Sequence, residues 1–257
     1  MMGMGVFGQG FVGKLAFPSA NVSDRLEKTF TSVNFNMMIM VIYALITIAI
    51  FGMWYYARYE GNFLPSPKKT FNPMMLVAIV ILVPGTQFAA NFIANLTGYI
   101  RPDWLQQYNE LFETSGITDT TFVTVLYSVI LAPICEELIF RGVTMRCARK
   151  TLPFALANLM QAALFGLFHL NWIQGIYAFA LGIVLGYVCE RGGSIYYSMG
   201  LHLLFNLWGT LSGFFPDPGN SVVVFVIVIA VTIISLVVGF VLFNKGRRKL
   251  PINSTGI

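Results

Sequence analysis

The sequence predicts an all-α protein, a polytopic membrane helical bundle of seven to eight transmembrane helices, and three observations carry that reading. Of 257 residues, 56% are hydrophobic and only 11% charged, with a mean hydropathy of +0.72, which leaves too few charges to solvate a globular surface. Apolar runs near the ~20 residues that cross ~30 Å of hydrocarbon recur along the chain. Short clusters of Lys and Arg flank these runs, as they flank membrane helices. Little length remains for a soluble domain, so residues 1–257 read as one integral membrane domain.

Residues 1–33 are Gly-rich, mildly apolar and interrupted by Lys14, Pro18, Arg25 and Lys28, and read as an interfacial amino-terminal arm without a cleavable signal pattern. Residues 36–56 form the first continuous apolar span. Residues 73–96 form the second, and Pro84-Gly85 inside it predicts a kink. The segment 98–119 is polar and acidic, carries Asp103, Glu110, Glu113 and Asp119, and reads as the longest loop, with Trp104 and Tyr108 as interfacial anchors. A third span, 121–140, contains Ala132-Pro133, placed to bend or break it just before Glu136. The remaining spans are 153–169, 172–189, 194–211 and 222–243, and the last closes on Lys245, Arg247, Arg248 and Lys249. Ala178, Gly182 and Gly186 recur every four residues and predict a close helix–helix approach.

Positive loops stay cytoplasmic. With the carboxyl tail inside, Arg58, Lys68, Lys69, Arg141, Arg146, Arg149, Lys150 and Arg191 are inside too, and only Lys14, Arg25, Lys28 and Arg101 are outside for seven spans. If the amino-terminal arm also crosses, the count is eight with both ends inside. The expected location is a prokaryotic cell membrane with a cytoplasmic carboxyl end. Basic clusters of this kind mark membrane flanks, so nucleic acid is not an expected partner despite the net charge of +5. Cys135, Cys147 and Cys189 lie in or beside apolar helices, and read as small buried apolar residues rather than a disulfide framework.

Three short helical patterns hold the chemistry: Glu136-Glu137-Leu-Ile-Phe-Arg141, Phe165-Gly-Leu-Phe-His169 and His202-Leu-Leu-Phe-Asn206, which together contain both histidines of the chain. A charge or an imidazole in an apolar helix costs several kcal/mol, about 2.5–3.5 for a charged residue at the helix centre. Adjacent glutamates on a helix point about 100° apart and so have different tasks. Glu137 and Arg141 stand four apart in the orientation that favours an ion pair, which leaves Glu136 as a carboxylate suited to general-base work on water. A purely structural ion cluster at the membrane boundary is the competing account. His169 shares a helix face with Phe165. His202 and Asn206 project together, either as paired donors for a developing oxyanion, about 2.7–4 kcal/mol per donor, or as interhelical hydrogen bonds worth about 0.6–2 kcal/mol.

Together the three motifs, in this order, resemble those of the CAAX prenyl protease and bacteriocin-processing family of intramembrane glutamic endopeptidases, also called the Abi family. The segment from Ala132-Pro133 through Glu136-Glu137 to Arg141-Gly142 is similar to the family's first motif, and the resemblance covers about residues 120–210, the expected catalytic core. It implies that Glu136 and His169 activate water, that His202 and Asn206 form the oxyanion site, and that Glu137 with Arg141 supports the pocket. The implied partner is a peptide or lipidated protein substrate, of prenylated CAAX type or of leader-peptide type, met among membrane lipids.

No cofactor is expected. A catalytic zinc is the alternative, but the helical His-Glu-x-x-His arrangement is absent, and zinc would occupy both histidines and leave none for proton transfer. The rival from another class is a non-enzymatic binding, transport or bacteriocin-immunity protein on the same fold, since broken spans such as that at Pro84-Gly85 occur in transporters. An inverted repeat is not evident, and the polar groups crowd into one third of the chain. The expected site is a wet cavity open toward the cytoplasm or the membrane edge.

Overall fold

The structure is a computed structural model that describes residues 33–60, 71–114, 121–212 and 221–246. These residues form eight helices: α1 (Val33–Tyr55, continued by a π turn over Tyr56–Glu60), α2 (Pro73–Ile100), α3 (Pro102–Thr114), α4 (Phe122–Ala148), α5 (Phe154–Phe168), α6 (Trp172–Gly192), α7 (Ile195–Ser212) and α8 (Val222–Gly246). No strand occurs among the described residues. Each of the seven expected spans is helical, but only five of the helices, α1, α2, α4, α6 and α8, are both long and apolar enough to cross a membrane. The 15 residues of α5 rise only about 22 Å, and α7 is diluted by polar residues such as His202 and Asn206. The expected amino-terminal arm lies outside the described residues, apart from Val33.

Helix starts follow local capping chemistry. The Asn72 carboxamide oxygen accepts from the Met74 N–H at 2.8 Å ahead of Pro73, and Asn171 does the same for Gln174 at 3.0 Å. Gly193, at φ 66°, closes α6 in the left-handed conformation that glycine adopts without strain. The expected long loop after α2 is instead the amphipathic helix α3. Pro102 opens it, Arg101 pairs with Asp103 at 2.6 Å, and its charged face points outward. Trp104 of this helix stacks on Trp172, with ring centres 5.3 Å apart, beneath the Arg101 guanidinium.

Two ends of the bundle can be told apart. At one, Arg146 donates to the Tyr55 hydroxyl at 2.9 Å and Arg149 pairs with Glu190 at 3.1 Å, which gathers the carboxyl ends of α1, α4 and α6. At that same end Asn72 joins the start of α2 to the Tyr197 hydroxyl of α7 and to the Gly246 carbonyl of α8, both at 2.8 Å. The end of α2, α3 and the α5–α6 turn therefore lie at the opposite end.

The core gathers around α2, which packs on α6, α7 and α8. Ala78, Leu82, Leu185, Leu201 and Phe243 are sealed there. A second cluster, including Tyr55, Leu138, Met145 and Ile195, joins α1 and α4 to α7. The outward faces of α1 and α8 are aliphatic, as hydrocarbon contact requires. The small-residue stripe of α6 faces α5, with Gly182 against Ala162 and Gly186 against Asn158. At Pro84-Gly85 the helix continues but its hydrogen-bond ladder is opened: the Ser235 hydroxyl of α8 accepts from the Gly85 N–H at 2.9 Å and donates to the Ile81 carbonyl. These are the two groups that a regular turn would pair with each other.

A Cβ at Gly166 would stand 2.5 Å from the Gly175 carbonyl oxygen. Gly166→Val should therefore force α5 from α6 and destabilise the protein by about 1–3 kcal/mol. Thermal unfolding in detergent reads this directly, and an unchanged midpoint would contradict the close approach.

Candidate active site

The site is built on α4, whose hydrogen-bond register is unusual. Two π segments, Leu126–Leu131 and Leu138–Met145, flank the α-helical piece Ala132–Glu137, and such bulges concentrate at functional sites. The Ala132 N–H bonds the Tyr127 carbonyl, five residues back. In the same register Pro133 would serve Ser128, but proline has no N–H. Asn206 of α7 supplies the missing donor, with Nδ2 at 2.8 Å from the Ser128 carbonyl oxygen. Pro133 thus does not break the helix; it exposes a carbonyl that orients Asn206.

Behind the cavity lies a fully buried charge cluster. Arg141 Nη1 donates to Glu137 Oε1 at 2.7 Å, and neither side chain is exposed. Arg141 also donates to the Gly182 carbonyl at 3.3 Å and lies over the Phe165 ring at 4.5 Å. The same carbonyl accepts from Gln161 at 2.8 Å, and Gln161 donates in turn to Asn158. Oppositely charged groups can occupy a medium this poor in screening only as a pair completed by further hydrogen bonds.

Glu136, one residue along, points away from this cluster and lines a cavity of about 240 Å³. His169, His202 and Asn206 line the same cavity. His202 stands between the glutamates, with Nδ1 at 3.0 Å from Glu137 Oε1 and Nε2 at 3.6 Å from Glu136 Oε2. A carboxylate only accepts, so Nδ1 carries a proton and Nε2 is the atom presented to Glu136. His169 is fixed by the same logic: its Nδ1 lies 2.8 Å from the Phe165 carbonyl oxygen, which leaves Nε2 as the acceptor. Phe165 touches both imidazoles edge-on, with ring centres 4.9 Å from His169 and 5.7 Å from His202.

The four residues expected to do chemistry thus share one cavity, and the two expected to support it sit directly behind. Ser128, Tyr127, Gln174 and Tyr177 also line the cavity, and no motif announced them. Tyr108, expected as an interfacial anchor, reaches into the cavity from α3. Asn158 and Gln161 were equally silent, although two amides four and seven residues before Phe165 on an apolar helix were the available signal. The cavity extends toward α3, the end of the bundle opposite the basic clusters. Among the described residues, no group of three or more His, Cys, Asp or Glu side chains is arranged to hold a metal ion.

Residues 118–208, the stretch that carries every one of these side chains except Tyr108, match the family described as type II CAAX prenyl endopeptidase Rce1-like. No curated protein and no solved structure matches the chain.

Removing one partner of a buried pair leaves the other charge uncompensated. Arg141→Met should cost about 3–5 kcal/mol of stability, with much of the loss recovered in the Glu137→Gln, Arg141→Met double variant. Denaturant unfolding of the three variants measures both, and additive losses would refute the coupling.

Proposed function

We propose that this chain, a member of the CAAX prenyl protease family through residues 118–208, is an intramembrane endopeptidase that cleaves a membrane-associated peptide or lipidated protein with a Glu-activated water and without a metal. One observation carries the reading: Glu136 and His202 approach to 3.6 Å within a cavity that His169 and Asn206 also line. A lone buried pair would serve packing; a second carboxylate that shares a cavity with two imidazoles and an amide serves chemistry.

In the proposed reaction a water held between Glu136 and the Nε2 of His169 attacks the scissile carbonyl carbon as its proton passes to Glu136. The carbonyl oxygen becomes an oxyanion, held by the Asn206 N–H that Ser128 does not use and by His202 Nε2–H. Donation from Nε2 requires the doubly protonated ring. Its charge is matched, since two glutamates then face one guanidinium and one imidazolium. Collapse of the intermediate breaks the C–N bond, the proton on Glu136 moves to the leaving nitrogen, and one water has been consumed. Glu137 keeps His202 oriented throughout, as the acid of a triad orients its histidine. The apolar and aromatic lining, with Phe168, Leu181 and Phe205, suits a substrate segment with an apolar portion.

Glu136→Gln should reduce cleavage of prenylated or leader-type peptides by at least ~10³-fold while the thermal midpoint stays within error, measured by mass spectrometry of products. Retained cleavage would remove Glu136 from the mechanism, and retained biological function without cleavage would favour a binding role. Activity should persist in excess chelator; loss that zinc alone restores would replace the metal-free scheme.

A further inference from the structure

The cavity is one-sided, and the side differs from the positively charged one. Its lining residues come from the α3-side portion of each helix that contributes: Ser128 and Glu136 precede the basic end of α4, His169 follows the last turn of α5, Gln174 lies in the first turn of α6, and Asn206 in the second half of α7, whose start is tied to Asn72. Tyr108 of α3 completes the wall. At the bottom of the turn beside His169, Leu170 is 65% exposed and held at φ 53° ahead of the Asn171 cap. All of this lies at one end of the bundle.

Basic residues crowd the other end. Arg58, Arg149, Lys150, Arg191 and Lys245 terminate helices there, and Arg247-Arg248-Lys249 follow α8 in the sequence. At the cavity end the described helices offer Arg101, already paired with Asp103, beside Glu110 of the acidic α3. Lys14, Arg25 and Lys28, which precede α1, do not reverse the excess even if all are counted on the cavity side. Basic flanks are retained in the cytoplasm. We infer that the catalytic cavity opens toward the non-cytoplasmic face of the membrane, and that its substrate is a peptide, or a segment of a membrane protein, presented on that face after export rather than a protein tail offered from the cytosol.

This inference rests on the endopeptidase reading for its substrate but not for its geometry, and the two can be tested apart. Cys147 is exposed at the basic end of α4, whereas Cys135 and Cys189 are buried, so the chain carries its own reporter. In sealed right-side-out vesicles a membrane-impermeant maleimide should label Leu170→Cys, prepared in a Cys147→Ser background, and should leave Cys147 of the unaltered protein unlabelled; inside-out vesicles should give the reverse. The opposite pattern, or labelling of both positions from one side, overturns the inference. Should Leu170→Cys fail to fold, Trp172→Cys, also exposed at this turn, takes its place. An internally quenched apolar peptide with a charged, impermeant tail should then be cleaved at least ~10-fold faster by right-side-out vesicles. Cleavage confined to inside-out vesicles overturns the substrate assignment. Cleavage in neither orientation, nor after detergent, counts against the endopeptidase reading and leaves the labelling result to decide which way the cavity faces.

Discussion

A full positive charge sealed inside an apolar bundle dictates much of what surrounds it. Arg141 has no exposure, and its carboxylate partner Glu137 has none either. Removing both from water is tolerable only because nearly every direction the guanidinium faces is occupied: Glu137 on its own helix, the Gly182 carbonyl on α6, and the face of Phe165 on α5. Three helices are thereby held to one point. The Glu137 oxygen that accepts from Arg141 also accepts from His202 of α7, which adds a fourth. The consequence for Glu136 is geometric: with its neighbour fixed inward, the preceding residue turns about 100° away and enters the cavity.

The second constraint is that a main-chain carbonyl cannot stand unpaired in hydrocarbon. Beside each of two prolines in long helices, a side chain from elsewhere takes up main-chain groups. Ser235 of α8 bridges the opened rung between Ile81 and Gly85. Asn206 of α7 answers the Ser128 carbonyl that Pro133 leaves without a donor. In the first case the repair holds the fold together. In the second the repairing group is itself part of the cavity wall, so a backbone irregularity becomes a means of aiming an amide.

Helix positions and the polar motifs were legible because both leave periodic or chemically costly marks in the sequence. Glu137 and Arg141 stand at helical spacing, and both histidines fall inside apolar runs at motif spacing from Phe165 and Asn206. The stripe Ala178, Gly182, Gly186 forecast an interface and not its partner, since spacing carries no information about which helix faces it. The helix α3 was missed because a short amphipathic segment with four acidic neighbours lacks the apolar run that identifies a span. Residues such as Ser128 and Gln174 were invisible for a different reason. Ser128 contributes a carbonyl, which every residue possesses, and Gln174 lines the cavity only through the way α6 docks. The contact of His202 with both glutamates likewise depends on tertiary packing between α4 and α7.

The Ser235 bridge also bears on how this protein meets bilayers of different thickness. α8 presents mostly aliphatic side chains outward and, on that ground alone, would be free to ride up or down against its neighbour. Its hydroxyl is threaded into a gap in α2, and Gly239 receives Leu82 a turn further on. A slip of one residue, ~1.5 Å along the axis, would unmake both bonds of the hydroxyl at once. Hydrophobic mismatch must therefore be absorbed by tilting α2 and α8 as a welded pair, and with α2 anchored to α6 and α7 that tilt is imposed on the whole bundle.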